Sequence, residues 1–511
     1  MRYDDLPRDL NVATYFIDRN LDEGRGEDTA LVTPEGTLTY AELADRVRGA
    51  AHALRSVGVH RGDHVLLALS DGVDFVATWY GAQRIGAVTA EVYTFLPAKD
   101  YEYFLGYVRP AAVVVDPTTL PRMREASGGR HRFLVAGDAD LRDGEFDLAA
   151  RAADAPETVD PAPTAKDDVA IWKFTTGSTG TPKACVHPVA SPVLSHHNYA
   201  RGVLDIDAND VVLPVPKLFF GYARDLAALY PFGVGGTGIA FGERSTADRM
   251  FELIARHRPT ILVNVPTMMS AMVAHPEAST QDLSCLRLCT SAGEALPAEL
   301  HRKWDETFGV EVVDGIGSSE AYHIYISNRP GAGRRGTCGQ AVPGYLARVV
   351  GDDGFEVPAG EVGTLEVTGG TVAREYFGDA EKSAATFRRG TVRTGDLFSR
   401  DADGYFTYHG RADDLLKVGG IWVAPSEIEH CVVGHPDVVE CGVVGHETDG
   451  LVRTRAYVVL RAGATATEDG LREYVGARLS GHKRPHEVVF VAELPRTTNG
   501  KLDRRALREL P

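Results

Sequence analysis

A strand-like run at residues 170–174, apolar but for Lys173, opens directly into Thr-Thr-Gly-Ser-Thr-Gly-Thr-Pro-Lys at residues 175–183. A buried strand that hands the chain to an anion-holding turn limits the fold more than any other feature of this sequence. Gly177 and Gly180 let the backbone turn tightly and bring N–H groups close to an anion. Thr175, Thr176, Ser178, Thr179 and Thr181 add donors, Lys183 adds a charge, and Pro182 stiffens the exit. The common nucleotide loop ends in Gly-Lys-Ser/Thr. Here Pro182 precedes the lysine and Ala184 follows it, so that pattern fails.

The flanking sequence alternates between strand and helix signals. Thr39 followed by Glu42 is a capping-box signature, and Leu43, Val47, Ala50, Ala51 and Leu54 keep helical spacing. Residues 65–69 read as a short buried strand, 75–85 as a helix, 87–92 as extended and 111–115 as another strand. The alternation resumes at 261–265 and 286–290, which predicts an α/β fold with parallel strands. Residues 151–168 are rich in Pro, Ala and Asp and read as a surface linker. The pattern changes near residue 413, beyond which 438–444 and 456–460 read as strands of a small α+β unit. At 511 residues the chain exceeds one ordinary core, and its length implies roughly three subdomains. The expected architecture is a large N-terminal α/β domain of several subdomains, residues 1–412, and a small mobile α+β C-terminal lid, residues 413–511.

A formal net charge of −17 argues against nucleic acid or an anionic membrane as the main partner, although a local cationic pocket can still hold a nucleotide. The six cysteines form no CxxC pair, which predicts free thiols in a reducing compartment. The N-terminus lacks a signal-peptide pattern and no apolar run reaches membrane-spanning length, so a cytoplasmic protein, monomeric or homodimeric, is expected.

Four more segments carry chemistry. Residues 290–297 read Thr-Ser-Ala-Gly-Glu-Ala-Leu-Pro after an apolar run, and residues 314–320 read Asp-Gly-Ile-Gly-Ser-Ser-Glu. Arg393-Thr-Gly-Asp396 precedes Gly410-Arg-Ala-Asp-Asp414, and Pro495-Arg-Thr-Thr-Asn-Gly-Lys501 lies close to the C-terminus. Together with residues 175–183, in this order, they resemble the adenylate-forming superfamily of acyl-CoA synthetases, adenylation domains and luciferases. The resemblance implies that the protein activates a carboxylic acid with ATP and Mg²⁺.

Its site residues follow motif by motif. The loop from Thr175 to Gly180 would hold phosphate with Lys183, while Ala292, Gly293 and Glu294 would form the adenine-contacting turn. Asp314, Gly315, Ile316, Gly317 and Ser319 would complete the AMP site, with Ser319 donating to the α-phosphate. Glu320 would ligate Mg²⁺, an ion content with one or two carboxylates plus phosphate oxygens. Asp396 would accept the ribose hydroxyls, Arg411 would brace them, and Asp413 would be the hinge. Lys501 would stabilise the transition state as a point charge.

The segments Lys217-Leu-Phe-Phe-Gly-Tyr222, 320–330 and 415–425 resemble benzoate-type aryl-CoA ligases most closely. Phe219, Phe220 and Tyr222, with Ala223 and Gly317, would then line an aromatic acid pocket; core aromatics are the alternative reading. His323 would face the substrate carboxylate or a ring substituent, or would be a satisfied core histidine. Lys417, Gly419, Gly420 and Trp422 would line the pantetheine tunnel, with Lys417 also a catalytic candidate. The acceptor is then coenzyme A, or alternatively an aryl carrier protein. Retention of Lys183, Glu320, Asp396, Arg411 and Lys501 argues against an inactive acid-binding protein. Three positions depart from the benzoate pattern: Lys173 stands where an apolar residue is usual, Ala184-Cys185 follow the loop lysine, and Arg224-Asp225 follow the aromatic segment. That last pair either bonds to itself or reaches the pocket, where it would favour a hydroxy- or amino-substituted ring such as salicylate.

Overall fold

The computed structural model describes residues 1–176, 182–418, 421–448, 451–461, 463–496 and 502–510. Two large sheets dominate. The first runs Glu145–Asp147, Phe133–Val135, Ala112–Val115, His64–Ala68, Val88–Glu91, Val169–Thr176 and Pro182–Pro188. Every neighbouring pair in it is parallel except the last, an antiparallel hairpin that flanks residues 177–181. The second sheet places Thr29–Thr33, Thr237–Ile239, Val211–Pro214, Ile261–Asn264, Leu288–Ser291 and Val312–Gly317 side by side in parallel. Antiparallel strands close both of its edges.

The capping box is present as expected: the Thr39 hydroxyl accepts from the Glu42 amide at 3.2 Å and the Glu42 carboxylate accepts from the Thr39 amide at 2.8 Å. It starts the helix Tyr40–Ser56, which lies with the helix Val73–Arg84 in one apolar core shared by both sheets. Residues 75–83 of the second helix are all buried, as an all-round apolar helix between layers must be.

Two features differ from the sequence reading. A third sheet, antiparallel throughout, is formed by Tyr345–Val350, Val362–Gly369, Thr391–Arg400, Phe387–Arg388 and Phe406–Arg411. Its strands are half-solvated, so they lack the continuous apolar runs that mark the buried parallel strands. The Pro/Ala/Asp-rich stretch is also more than a surface linker. The helix Leu148–Ala153 takes up its start, Val159 and Thr164 are buried, and the Ala162 amide bonds the Arg84 carbonyl at 2.7 Å.

Beyond Asp414 the strands Val438–Thr448, Leu451–Leu460 and Glu487–Phe490 form a small sheet with their own apolar core against the helices Pro425–Val433 and Glu468–Gly476. The hairpin Leu416–Val418/Ile421–Val423 precedes it. All six cysteines are unpaired. Among the described residues no helix is long and apolar enough to cross a membrane.

Candidate active site

The loop motif sits where the sequence reading puts it, at the end of an inner strand of the first sheet. The pairs Thr175↔Lys183 and Thr176↔Pro182 bring its two ends together. Gly177, Ser178, Thr179 and Gly180 lie outside the described residues. Lys183 is held by Asp379, Nζ to Oδ2 at 2.7 Å, and lies 5.8 Å from the centre of the Tyr376 ring. Tyr376 in turn donates its hydroxyl to Glu320 Oε1 at 2.8 Å. Sequence reasoning missed Tyr376 and Asp379; the only signal was an aromatic–Gly–acid run, Tyr-Phe-Gly-Asp at 376–379, without a recognised spacing.

The turn that carries Glu320 begins where the strand Val312–Gly317 ends with a register shift. A Cβ on Gly317 would stand 2.5 Å from the His323 carbonyl oxygen, so only glycine lets the chain double back here. Every carbonyl from 319 to 322 is then taken by a partner. His187 Nε2–H donates to Ser319 O at 2.7 Å, the Ala373 amide to Glu320 O at 2.7 Å, Thr371 Oγ1 to Ala321 O at 2.8 Å and Lys173 Nζ to Tyr322 O at 2.7 Å. Ser319 Oγ donates to the Phe174 carbonyl at 3.1 Å, tying this turn to the phosphate-loop strand. Tyr322 adopts φ 76°, a conformation costly for a residue with a side chain and kept only when its surroundings enforce it.

Asp396 and Arg411 face each other across an antiparallel pair, Arg411 Nη1 to Asp396 Oδ1 at 3.2 Å, and burial raises the Asp396 carboxyl above its ordinary value. Asp314 is buried, its Oδ1 has no hydrogen-bond partner, and burial pushes its carboxyl up to about 8. An orphaned acceptor there fits a ligand that brings a donor, as the adenine amino group does. Ala292 is buried beneath the turn after Leu288–Ser291. Glu294 is engaged in the protein itself, accepting from the Thr267 amide at 3.1 Å and its hydroxyl at 2.7 Å. Gly315 and Ile316 lie on the strand Val312–Gly317, with Ile316 packed on the core of the third sheet. Among the described residues no three His, Cys, Asp or Glu groups converge as a metal cage. A lone Glu320 still fits Mg²⁺, which takes its other ligands from phosphate and water.

The aromatic segment divides in two. Phe219 and Phe220 pack on Tyr93 with ring centres 4.8 and 5.2 Å apart, and the exposed Phe95 joins them, 5.9 Å from Phe219. Tyr222 and the buried Ala223 start the helix Gly221–Ala228, with the Tyr222 hydroxyl 2.7 Å from Thr290 Oγ1. His323 stacks obliquely among Tyr199, Tyr222 and Tyr230, and its Nε2–H donates to the Tyr222 carbonyl at 3.3 Å. Its Nδ1 is buried without a partner. Burial holds the ring down to about 3, against the pull of Asp225, so it is neutral at working pH. Arg224 and Asp225 bond to each other, resolving the alternatives left open above and removing their argument for a substituted ring.

Asp413 lies exposed in the turn Ala412–Asp414, and Asp414 meets Arg504 of the small domain at 3.4 Å. Lys417 pairs with Trp422 across the hairpin, but their side chains, together with Gly419, Gly420 and Lys501, lie outside the described residues.

Comparison with known proteins places the chain in a family. Residues 18–377 match the AMP-binding enzyme family, and residues 427–501 match the AMP-binding enzyme C-terminal domain. The benzoate–CoA ligase of Thauera aromatica is 40% identical over 512 aligned residues, covering 98% of this chain and 96% of that protein. The crystal structure of the anthranilate CoA ligase AuaEII in complex with anthranoyl-AMP superposes with a TM-score of 0.95 at 34% identity, over 100% of this chain and 98% of that one. A benzoate CoA ligase from Burkholderia xenovorans LB400 gives a TM-score of 0.90 at 37% identity, over 98% and 99%. With family matches on both parts of the chain and relatives aligned nearly end to end, this protein is a member of the AMP-binding enzyme family.

Proposed function

We propose that this chain is an ATP-dependent aryl acid–CoA ligase acting on benzoate, a hydroxybenzoate such as salicylate, or an aminobenzoate. The observation that carries the reading is end-to-end similarity to aryl-CoA ligases, joined to the placement of Tyr222 and a neutral His323 beside the Glu320 turn. The acid's carboxylate oxygen attacks the α-phosphorus of ATP and pyrophosphate leaves, giving an acyl-adenylate. The thiol sulfur of coenzyme A then attacks the acyl carbon and AMP leaves.

The first step brings an anion to a polyanion, so positioning and local positive charge must offset repulsion. Lys183 supplies charge at the phosphate-loop hairpin, Mg²⁺ would be held by Glu320, and Asp396 with Arg411 would hold the ribose. Lys501 would approach the α-phosphate from residues 413–511, read as a lid that turns about Asp413 between the two half-reactions. Residues 1–412 would form the adenylating domain, and the hairpin bearing Lys417 and Trp422 would guide the pantetheine arm. The unpaired cysteines suit a reducing cytoplasm.

The test is pyrophosphate release across benzoate, the three hydroxybenzoates, anthranilate, phenylacetate, cinnamate and hexanoate, each with and without coenzyme A. An aromatic winner whose turnover requires coenzyme A is expected. Adenylation without a CoA thioester would assign an aryl carrier protein as acceptor, and preference for hexanoate would overturn the aryl reading.

A further inference from the structure

Beneath the candidate site lies a buried chain of four charged side chains: Lys173, Asp225, Arg224 and Glu91. Arg224 forks onto Asp225 Oδ1 through Nε at 3.0 Å and Nη2 at 2.8 Å, and onto Glu91 Oε1 through Nη1 at 2.6 Å, lying 4.9 Å from the Trp79 ring centre. Asp225 turns its other oxygen, Oδ2, to Lys173 Nζ at 2.7 Å. Lys173 spends its remaining reach on the Tyr322 carbonyl and rests 3.6 Å over the Tyr322 ring. The two cations balance the two carboxylates in number.

Such a network is expensive to desolvate, and well-packed apolar side chains are often as stable or more so. Its geometry indicates what it does instead. Lys173 belongs to the strand that ends in the phosphate loop, Asp225 and Arg224 to the helix that carries Tyr222, and Glu91 to the next strand of the sheet. Tyr322 sits between Glu320 and His323 in the strained turn. Of the five donors that reach the carbonyls of 319–322, counting the Tyr322 amide to Ser319 O at 3.3 Å, the Lys173 ammonium is the only charged one. Space is kept for it: a Cβ on Gly221 would stand 2.6 Å from Lys173 Nζ.

We propose that Lys173, anchored through Asp225 and Arg224 to Glu91, is a positioning residue for adenylation. It locks the turn that presents Glu320 and His323 to the strand of the phosphate loop and to the helix of Tyr222. Acid, metal-bound phosphate and attacking geometry are thereby held in one register. The proposal rests on the adenylating function assigned above, though not on the acid being aromatic.

The test compares the parent with Lys173→Met/Asp225→Asn, which leaves Arg224 and Glu91 as a balanced pair, and with Gly221→Ala, which crowds the ammonium by one methyl group. Pyrophosphate release is measured on whichever acid the parent adenylates best, so preference for an aliphatic acid would remove the aryl reading without touching this comparison. For the folded double variant, kcat is expected to fall at least 100-fold while KM for ATP moves less than about threefold. Gly221→Ala, which leaves all four charged side chains in place, is expected to lose at least tenfold in kcat. A double variant with parental kcat would overturn the proposal. So would a Gly221→Ala variant with parental kcat, and this second arm decides if the double variant does not fold.

Discussion

At Lys173 and at Asp413 the chain places charge in opposite surroundings. Lys173 is wrapped by sheet and helix, with an ion pair to Asp225 and a hydrogen bond to the Tyr322 carbonyl, both at 2.7 Å. Asp413 stands exposed in a three-residue turn, with Arg411 on one side and the Asp414–Arg504 pair on the other. The first arrangement suits a part that must not move during a displacement at phosphorus. The second suits a pivot, because solvent replaces whatever contacts a rotation gives up. The small domain repeats the contrast within itself: Arg504 reaches Glu429 Oε2 at 2.8 Å and the Val443 carbonyl at 2.8 Å, rigid contacts just beyond the hinge.

The largest effect should come from breaking the buried network on one side only. Lys173→Met removes the Lys173 bond to Asp225 Oδ2 and leaves two buried carboxylates sharing one guanidinium, and about 3–5 kcal/mol of unfolding free energy should be lost in urea titrations. Parental stability in that variant would mean that water already enters the network. Removing the cation beyond the hinge is milder: Arg504→Met should cost about 1–3 kcal/mol, read the same way.

The contrast also predicts an asymmetric pH response. Burial, then Lys173, holds His187 down to about 3, whereas its unfolded value lies near 6.5. Below pH 6.5 the unfolded chain therefore binds the extra proton, and stability falls as pH drops toward 3. His187→Gln should lose about 1.4 kcal/mol less per pH unit in that window. Equal slopes would show that His187 is protonated in the fold.

Asp413→Pro should leave pyrophosphate release within about threefold and cut thioester formation by tenfold or more, the outcome required by the proposed turn of residues 413–511 before the second half-reaction. Equal loss of both would remove the hinge assignment. At the small end, Arg334 meets Asp401 and Asp403 on open surface, and Arg334→Gln should leave the urea midpoint unchanged.

Much of this was legible before any coordinates. The capped helix at Tyr40–Ser56, the alternating strands and the strand-to-loop delivery of residues 175–183 were readable, because each is signalled by neighbours in sequence. The juxtaposition of Asp396 and Arg411 was readable through motif order, and their hold on a ribose stands as a proposal. Tyr376 and Asp379 were not, since their value lies in reaching Glu320 and Lys183 across long stretches of chain. The antiparallel third sheet escaped because a half-solvated strand leaves only a weak apolar trace.

Local pattern determined the parallel α/β layers, the phosphate loop, the change of character near residue 413 and the family. Those depend on backbone geometry and on short runs whose chemistry is the same in any surroundings. Tertiary structure alone decided what Lys173, Arg224 and Asp225 do. In sequence Lys173 departs from an apolar position and Arg224–Asp225 from a run of small residues, the pair reading as bonded to itself or, alternatively, as reaching the pocket. Only the packing of two strands, one helix and a strained turn closes them on Glu91 and Tyr322. There, exclusion of water makes each charge choose a partner and hold it.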